Sequence, residues 1–164
     1  MLLTDITQSV DTIRYSGFVV LPEYIDPNGH MNVGYYSVLF DKALDLPWDV
    51  LGLGSGSTEA TGVSSFTLES HVTYQHEVHE GDPLDFTFQL INFDAKRIHF
   101  FMTMLHAKER WLAATSESIS MCIDMTTRRN DLARRQAGAR ASPARSAFAA
   151  PATGGSRSRH RHTP

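Results

Sequence analysis

Cysteine is nearly absent from this sequence, and so is any long apolar run. The chain of 164 residues contains one cysteine, Cys122, which excludes a disulfide within the chain. Cys122 falls in the apolar run from Ile119 to Met125, a position typical of a small buried hydrophobe. No apolar stretch near the N-terminus is long enough for a signal peptide or a spanning helix. We therefore expect a cytoplasmic protein that does not contact a membrane.

Positive charge is scarce in most of the chain. Residues 1–127 hold 6 Lys and Arg against 17 Asp and Glu, whereas residues 128–164 hold 9 against 1. The second part is rich in Ala, Arg, Pro and Ser, so it cannot bury enough apolar surface to offset the entropy lost on ordering. The composition predicts one domain at 1–127 and a basic, solvated tail at 128–164. The tail lacks interleaved aromatic residues, so nucleic-acid binding is not expected.

Motifs that hold a metal or a nucleotide cofactor are also missing. The sequence has neither a nucleotide-binding glycine loop nor a pair of metal-binding cysteines. His71, His76 and His79 lie close together in the sequence, but their spacing places them on different faces of an extended chain. We expect no metal and no cofactor.

The most informative segment is Asp26-Pro-Asn-Gly-His-Met-Asn-Val-Gly-Tyr-Tyr36. It joins a β-prone run, Tyr15 to Ile25, to a run with apolar residues at helical spacing, Val33 to Leu46. The Pro-Asn-Gly sequence between them is typical of a turn, and Asn28 or Asn32 is suited to cap the helix. A helix that begins here points unpaired backbone N–H groups at its surroundings, which favours a negatively polarised oxygen.

The rest of the domain predicts strands. The helix is expected to end near Pro47, followed by a flexible glycine-rich loop. From Phe66 to Tyr74, and again from Phe86 to Met125, apolar and polar residues alternate between turns. One helix followed by a meander of long strands predicts an α+β fold in which the sheet covers the helix.

The junction and the element order resemble those of hotdog-fold acyl-CoA thioesterases of the 4-hydroxybenzoyl-CoA thioesterase type. The shared motif is Asp26-x-x-x-His30-Met-Asn-x-x-Tyr-Tyr, and the resemblance covers roughly Ser16 to Arg129. Further stretches are similar to the branch linked to carnitine breakdown, which includes thioesterase modules attached to carnitine dehydrogenase. These stretches are Phe66–Tyr74, Glu80–Leu84, Asp94–His99 and Ala113–Glu117. The resemblance implies hydrolysis of an acyl-CoA, with betainyl-CoA as the substrate of that branch.

Thioester hydrolysis needs a group that activates water or attacks the carbonyl, and donors that stabilise the oxyanion. The resemblance places the catalytic carboxylate at Asp26, as general base or as nucleophile. It places the thioester oxygen against backbone N–H groups at the helix start, which we assign to Met31 and Asn32. His30 is a candidate for donating a hydrogen bond to the carbonyl or for positioning water, and the alternative for His30 is a capping or packing role.

Several other side chains are candidates for the substrate pocket. Aromatic rings can contact a quaternary ammonium through cation–π interactions, and a carboxylate on a strand can compensate the charge of a cationic acyl group. Coenzyme A phosphates require cations, which are few outside the tail. The predicted pocket residues are Tyr35, Tyr36, Trp48, Phe66 and Glu69, and the predicted phosphate ligands are Lys96 and Arg97.

Two other functions remain open for such a fold, because a fold alone does not decide function. One is a hydratase or dehydratase, and the other is a non-catalytic acyl-CoA-binding module. A sheet with an uncovered strand edge also predicts pairing of two protomers. We expect a homodimer or a dimer of dimers.

Overall fold

The computed structural model describes residues 12–129, which form a five-stranded antiparallel sheet and three helices. The strands are β1 (Thr12–Val19), β2 (Val63–Tyr74), β3 (Pro83–Phe93), β4 (Arg97–His106) and β5 (Leu112–Asp124). The helices are α1 (Val33–Ala43), α2 (Asp45–Val50) and α3 (Ser55–Thr61), and a single 3-10 turn spans Pro22–Tyr24. The predicted α+β class is confirmed.

The strands lie in the order β1-β3-β4-β5-β2, so β1 and β2 form the two edges of the sheet. On the neighbouring strands β3 and β4, alternate residues are fully buried: Leu84, Phe86, Phe88, Phe100, Met102 and Met104. Helix α1 packs on this face, where the rings of Phe40 and Phe86 meet edge to face at 5.7 Å. The period-two pattern of β3 and β4 therefore places the core between the sheet and α1.

Helix α1 begins where the sequence predicts but ends earlier. Asn32 caps it with φ −60° and ψ 140°, and its Oδ1 accepts a hydrogen bond from the N–H of Gly34 at 2.9 Å. The helix ends at Ala43, and Pro47 lies inside the next helix, α2, rather than terminating the first. Proline is tolerated there because N–H groups in the first turn of a helix have no partner within the helix.

The glycine-rich segment is also more ordered than expected. Residues Ser55–Thr61 form α3 instead of a flexible loop. Gly62 ends this helix in the left-handed region at φ 71°, a conformation that glycine adopts without the steric cost of a side chain.

A bulge at Leu68 divides β2 into two phases. Thr67 pairs with Ser120 and Glu69 pairs with Ile119, so one extra residue is inserted between them. Beyond the bulge, the Ser70 hydroxyl lies 3.0 Å from that of Ser118, on the face that carries α1. The simple alternation expected for Phe66–Tyr74 therefore does not hold along the whole strand.

Cys122 packs against the core, as predicted. Burial raises the pKa of its thiol, with a smaller contribution from the negative charge of Asp94, so the reactive thiolate form is disfavoured. Within residues 12–129, no helix is both long and apolar enough to cross a membrane.

Candidate active site

The loop between β1 and α1 is held in shape by the carboxylate of Asp26. Oδ1 of Asp26 accepts a hydrogen bond from the N–H of Asn28 at 2.8 Å, and the backbone carbonyl oxygen of Asp26 accepts one from the N–H of Gly29 at 3.0 Å. Gly29 has φ +87°, which a residue with a Cβ adopts only with strain. The N–H of Asp26 bonds back to the carbonyl of His30 at 3.0 Å, which closes the loop.

Two backbone hydrogen bonds attach this loop to the rest of the fold. The N–H of Met31 donates to the carbonyl of Val78 at 2.9 Å, and the N–H of Asn32 donates to the carbonyl of Tyr24 at 2.9 Å. Both predicted oxyanion donors are therefore already engaged. Among the described residues, the N–H of Val33 at the start of α1 has no acceptor. The helix start thus leaves a donor at Val33, one position further along than expected.

A cavity of about 290 Å³ opens beside this loop. Its lining consists of Asp26, His30, Met31, Asn32, Val33 and Tyr36 from one side, and Tyr74, Gln75, His76 and Glu77 from the end of β2. The Asp26 side chain is 14% exposed and that of His30 is 29% exposed. A carboxylate, an imidazole and a helix N-terminus therefore line one small space.

The imidazole of His30 lies near Asp26 without a direct hydrogen bond. Its Nδ1 is 3.7 Å from Oδ2 of Asp26 and 3.3 Å from the carbonyl oxygen of Met31. If the contact with the carbonyl is a hydrogen bond, Nδ1 carries the proton, because a carbonyl oxygen only accepts. Nε2 is then available to a water molecule or a substrate.

Of the aromatic residues predicted for the pocket, only Tyr36 lines this cavity. The ring of Tyr35 stacks on Tyr24 at 4.5 Å. Trp48 belongs to the core, where its ring meets those of Phe88 and Phe100 at 6.0 and 5.3 Å.

Phe66 and Glu69 lie on the opposite face of the sheet from α1. Phe66 pairs with Met121 and Glu69 with Ile119, and Ile119 in turn pairs with His99 on β4. The neighbouring residue of β4, Phe100, is the one that points to the core. Within a single chain these two side chains therefore do not reach the Asp26 cavity.

The predicted phosphate ligands lie at the far end of the sheet. Arg97 begins β4, whereas the Asp26 cavity lies beside the end of β4, and the 10 residues of this strand span about 30 Å. The guanidinium of Arg97 donates from Nε and Nη2 to Oδ2 of Asp94 at 2.9 and 2.7 Å. The pKa of Asp94 falls to about 2, first because the Lys96 N–H donates to its carboxylate and then because Arg97 does. In this structure Lys96 and Arg97 thus organise a hairpin, and their role toward phosphate stays a prediction.

Two of the three histidines between 71 and 79 have other partners. Nδ1 of His76 lies 2.8 Å from the carbonyl oxygen of Leu112, and Nδ1 of His79 lies 3.9 Å from Oδ2 of Asp82. In the part of the chain that the structure describes, no group of three potential ligands is arranged to hold a metal ion.

The sequence did not point to Tyr74 and Glu77, which form the second wall of the cavity. Tyr74 was expected only as an apolar strand residue, and Glu77 lies in an irregular segment without a motif. The hydrogen bond from Met31 to Val78 brings this segment to the loop. A backbone contact between two distant loops leaves no pattern in a single sequence.

The fold is that of the hotdog thioesterases. A hypothetical protein from Staphylococcus aureus, solved in complex with CoA, superposes with a TM-score of 0.73 at 28% identity, covering 87% of this chain and 85% of that one. A 1,4-dihydroxy-2-naphthoyl-CoA thioesterase from Synechocystis superposes with a TM-score of 0.67 at 16% identity, over 84% of this chain and 96% of that one. The second likeness concerns the fold alone.

The chain belongs to the thioesterase-like superfamily, whose family model matches residues 20–151. It is 35% identical to a betainyl-CoA thioesterase from Pseudomonas aeruginosa over 106 residues, 65% of this chain and 67% of that protein. It is 36% identical to an L-carnitine dehydrogenase/betainyl-CoA thioesterase from Rhizobium meliloti over 101 residues, 62% of this chain and 20% of that protein. The chain thus matches about a fifth of the fused relative.

These findings confirm the predicted hotdog fold and the predicted thioesterase class. The family match also extends past residue 127, where we expect the domain to end. Residues 130–164 lie outside the described part of the chain, so the predicted division into domain and tail stays a prediction.

Proposed function

We propose that this protein hydrolyses an acyl-CoA thioester to a free acid and coenzyme A, with betainyl-CoA as the candidate substrate. One observation carries the proposal: the carboxylate of Asp26 and the unpaired N–H of Val33 line the same cavity. The similarity to betainyl-CoA thioesterases supports the choice of acyl group.

One carboxylate oxygen of Asp26 accepts a hydrogen bond within the loop, and the other can act on a substrate. Oδ1 is held by the N–H of Asn28, which fixes the carboxylate, whereas Oδ2 has no hydrogen bond from the described residues. As a general base, Oδ2 takes a proton from water while the water oxygen attacks the thioester carbonyl carbon. As a nucleophile, Oδ2 attacks that carbon itself and expels the thiolate, and water then cleaves the resulting anhydride between the acyl group and Asp26. In both routes the bond between the carbonyl carbon and sulfur breaks, and coenzyme A leaves as its thiolate.

The oxyanion is stabilised at the start of α1. When the carbonyl carbon is attacked, negative charge moves to the carbonyl oxygen, and the N–H of Val33 is placed to donate to it. The helix dipole adds a partial positive charge at the same position. His30, with Nε2 available, positions water at the mouth of the loop.

The experiment is to measure thiol release from betainyl-CoA, 4-hydroxybenzoyl-CoA and straight-chain acyl-CoAs by the wild type and by Asp26→Asn. Asparagine keeps an oxygen for the Asn28 N–H but cannot accept a proton, so turnover is expected to fall by about 10²–10⁴. Asp45→Asn, an exposed carboxylate on α2, is the matched control and should retain full activity. Unchanged turnover in a folded Asp26→Asn protein contradicts the assignment, and broad hydrolysis without preference contradicts the betainyl substrate.

We also propose that two chains pair through β2. This strand has 12 residues and only one partner in the sheet, and it exposes Phe66, Leu68 and Tyr74 at 41%, 55% and 48%. A long, partly apolar edge strand is a template for pairing with another strand. Antiparallel pairing of two copies extends the sheet and protects both edges. Further pairing of dimers and a cytoplasmic location stay predictions from the sequence.

A further inference from the structure

The Asp26 cavity contains a second carboxylate that hydrolysis does not require. Glu77 lies on the wall formed by the end of β2, opposite the catalytic loop. Its side chain is exposed, and among the described residues it has no ion-pair partner. The lining residues include two carboxylates and neither a lysine nor an arginine. No lysine or arginine of the cavity lining therefore neutralises these two carboxylates.

Two tyrosine rings line the same cavity as Glu77. Tyr36 and Tyr74 meet edge to face, with centroids 5.0 Å apart and an interplanar angle of 78°. Tyr36 is buried, whereas Tyr74 is half exposed at the cavity wall. The pKa of Tyr36 is raised, first by burial, while the N–H of Val78 acts against the rise and the negative charge of Glu77 adds to it. Glu77 and both tyrosine rings thus line one cavity.

This combination suits one kind of acyl group. A quaternary ammonium has no N–H to donate, so it is held by ring faces and by nearby negative charge rather than by hydrogen bonds. A neutral acyl group of the same shape would displace water from Glu77 without supplying a compensating charge, which is unfavourable. A cationic acyl group balances the carboxylate when the water leaves.

We propose that Glu77, together with the ring of Tyr74, selects thioester substrates whose acyl group carries a positive charge. This inference rests on the proposed function, because it assigns a specificity role within the same cavity. Asp26 performs the chemistry, and Glu77 discriminates between acyl groups without taking part in bond breaking.

The test compares two substrates of nearly equal shape. Betainyl-CoA carries a trimethylammonium group, and tert-butylacetyl-CoA carries carbon in place of the nitrogen. The positive charge also activates the thioester toward attack, so the rates of the two substrates are not compared directly. The informative quantity is the kcat/KM for betainyl-CoA divided by that for tert-butylacetyl-CoA, and how this ratio changes on mutation. Each of Glu77→Gln and Tyr74→Leu is expected to lower the ratio by roughly three- to thirtyfold, through loss of the charge interaction or of the cation–π contact. Glu80→Gln removes an exposed carboxylate from the same β2–β3 connection outside the cavity and should leave the ratio unchanged.

The outcomes separate the two proposals. If Glu77→Gln lowers kcat/KM equally for both substrates, Glu77 belongs to the hydrolytic machinery and the selectivity role is wrong. An unchanged ratio in a variant that still hydrolyses both substrates also overturns it, while the thioesterase function stands.

If the wild type hydrolyses neither substrate, the betainyl-CoA assignment of the proposed function fails, and binding then decides the inference. The thioether analogues, in which CH2 replaces the thioester carbonyl, are titrated calorimetrically into the wild type and Glu77→Gln. A preference for the charged analogue that Glu77→Gln abolishes supports selection of a cation, and equal affinity for both analogues in the wild type overturns it.

Discussion

Proline at position 33 would remove a single hydrogen-bond donor from the candidate active site while keeping the helix. Val33 is the first residue of α1, and proline is favoured at this position because its fixed φ suits the helix and its missing N–H is not needed by it. A residue before proline must be extended, and Asn32 already has ψ 140°. The change Val33→Pro is therefore expected to leave the fold intact.

The expected loss follows from the hydrogen bonds of the neighbouring residues. The N–H groups of Met31, Asn32 and Gly34 bond to other acceptors in the protein, so no neighbour replaces the Val33 donor. Removal of one oxyanion donor lowers kcat by about 10²–10³, or about 2.7–4 kcal/mol of transition-state stabilisation. We expect a decrease of that size in Val33→Pro.

The control is Val33→Ala, which shortens the same exposed side chain but keeps the N–H. Steady-state thiol release gives kcat for both variants, and circular dichroism confirms that the helix content is equal. Val33→Ala should remain within about twofold of the wild type, as expected for an exposed position. A folded Val33→Pro protein with kcat less than about tenfold below that of Val33→Ala would show that the oxyanion is stabilised elsewhere.

Two predictions concern assembly and stability. Leu68→Lys places a charge at the exposed bulge of the edge strand, which should prevent pairing with a second strand. Light scattering should then show the mass of one chain for this variant and that of two chains for the wild type. An unchanged mass would exclude pairing through this edge. Phe86→Ala removes a fully buried ring that contacts Tyr15, Phe18 and Phe40 and should lower the free energy of unfolding in urea by about 3–5 kcal/mol. Ile91→Ala, at a position 47% exposed, should change it by less than about 1 kcal/mol.

The elements that the sequence predicts best are those with a strict period. The alternation on β3 and β4 and the helical spacing from Val33 onward predict the sheet, α1 and the face on which they meet. The loop from Asp26 to Asn32 is also predictable, because its turn residues and its helix cap act within a few positions of one another. Local chemistry therefore fixes one wall of the cavity.

The errors arise where a distant contact or an inserted residue decides the structure. One bulge at Leu68 changes which residues of β2 share a face, so within one chain Glu69 lies on the face of the sheet opposite α1. A pocket role for Glu69 in a dimer stays a prediction. Pro47 does not end α1 but lies in the first turn of α2, where its missing N–H leaves no helical hydrogen bond unmade. The second wall of the cavity depends on the pairing of Met31 with Val78, residues far apart in the sequence.

The hydrogen bond between the N–H of Met31 and the carbonyl of Val78 uses main-chain atoms only. The two walls of the cavity therefore stay attached to each other whatever side chains occupy the segment at the end of β2. If the proposed roles hold, substitutions at positions 74 and 77 change the acyl group that is accepted without displacing the carboxylate of Asp26. A lineage of such enzymes can acquire new substrates by altering one wall while the other retains the chemistry.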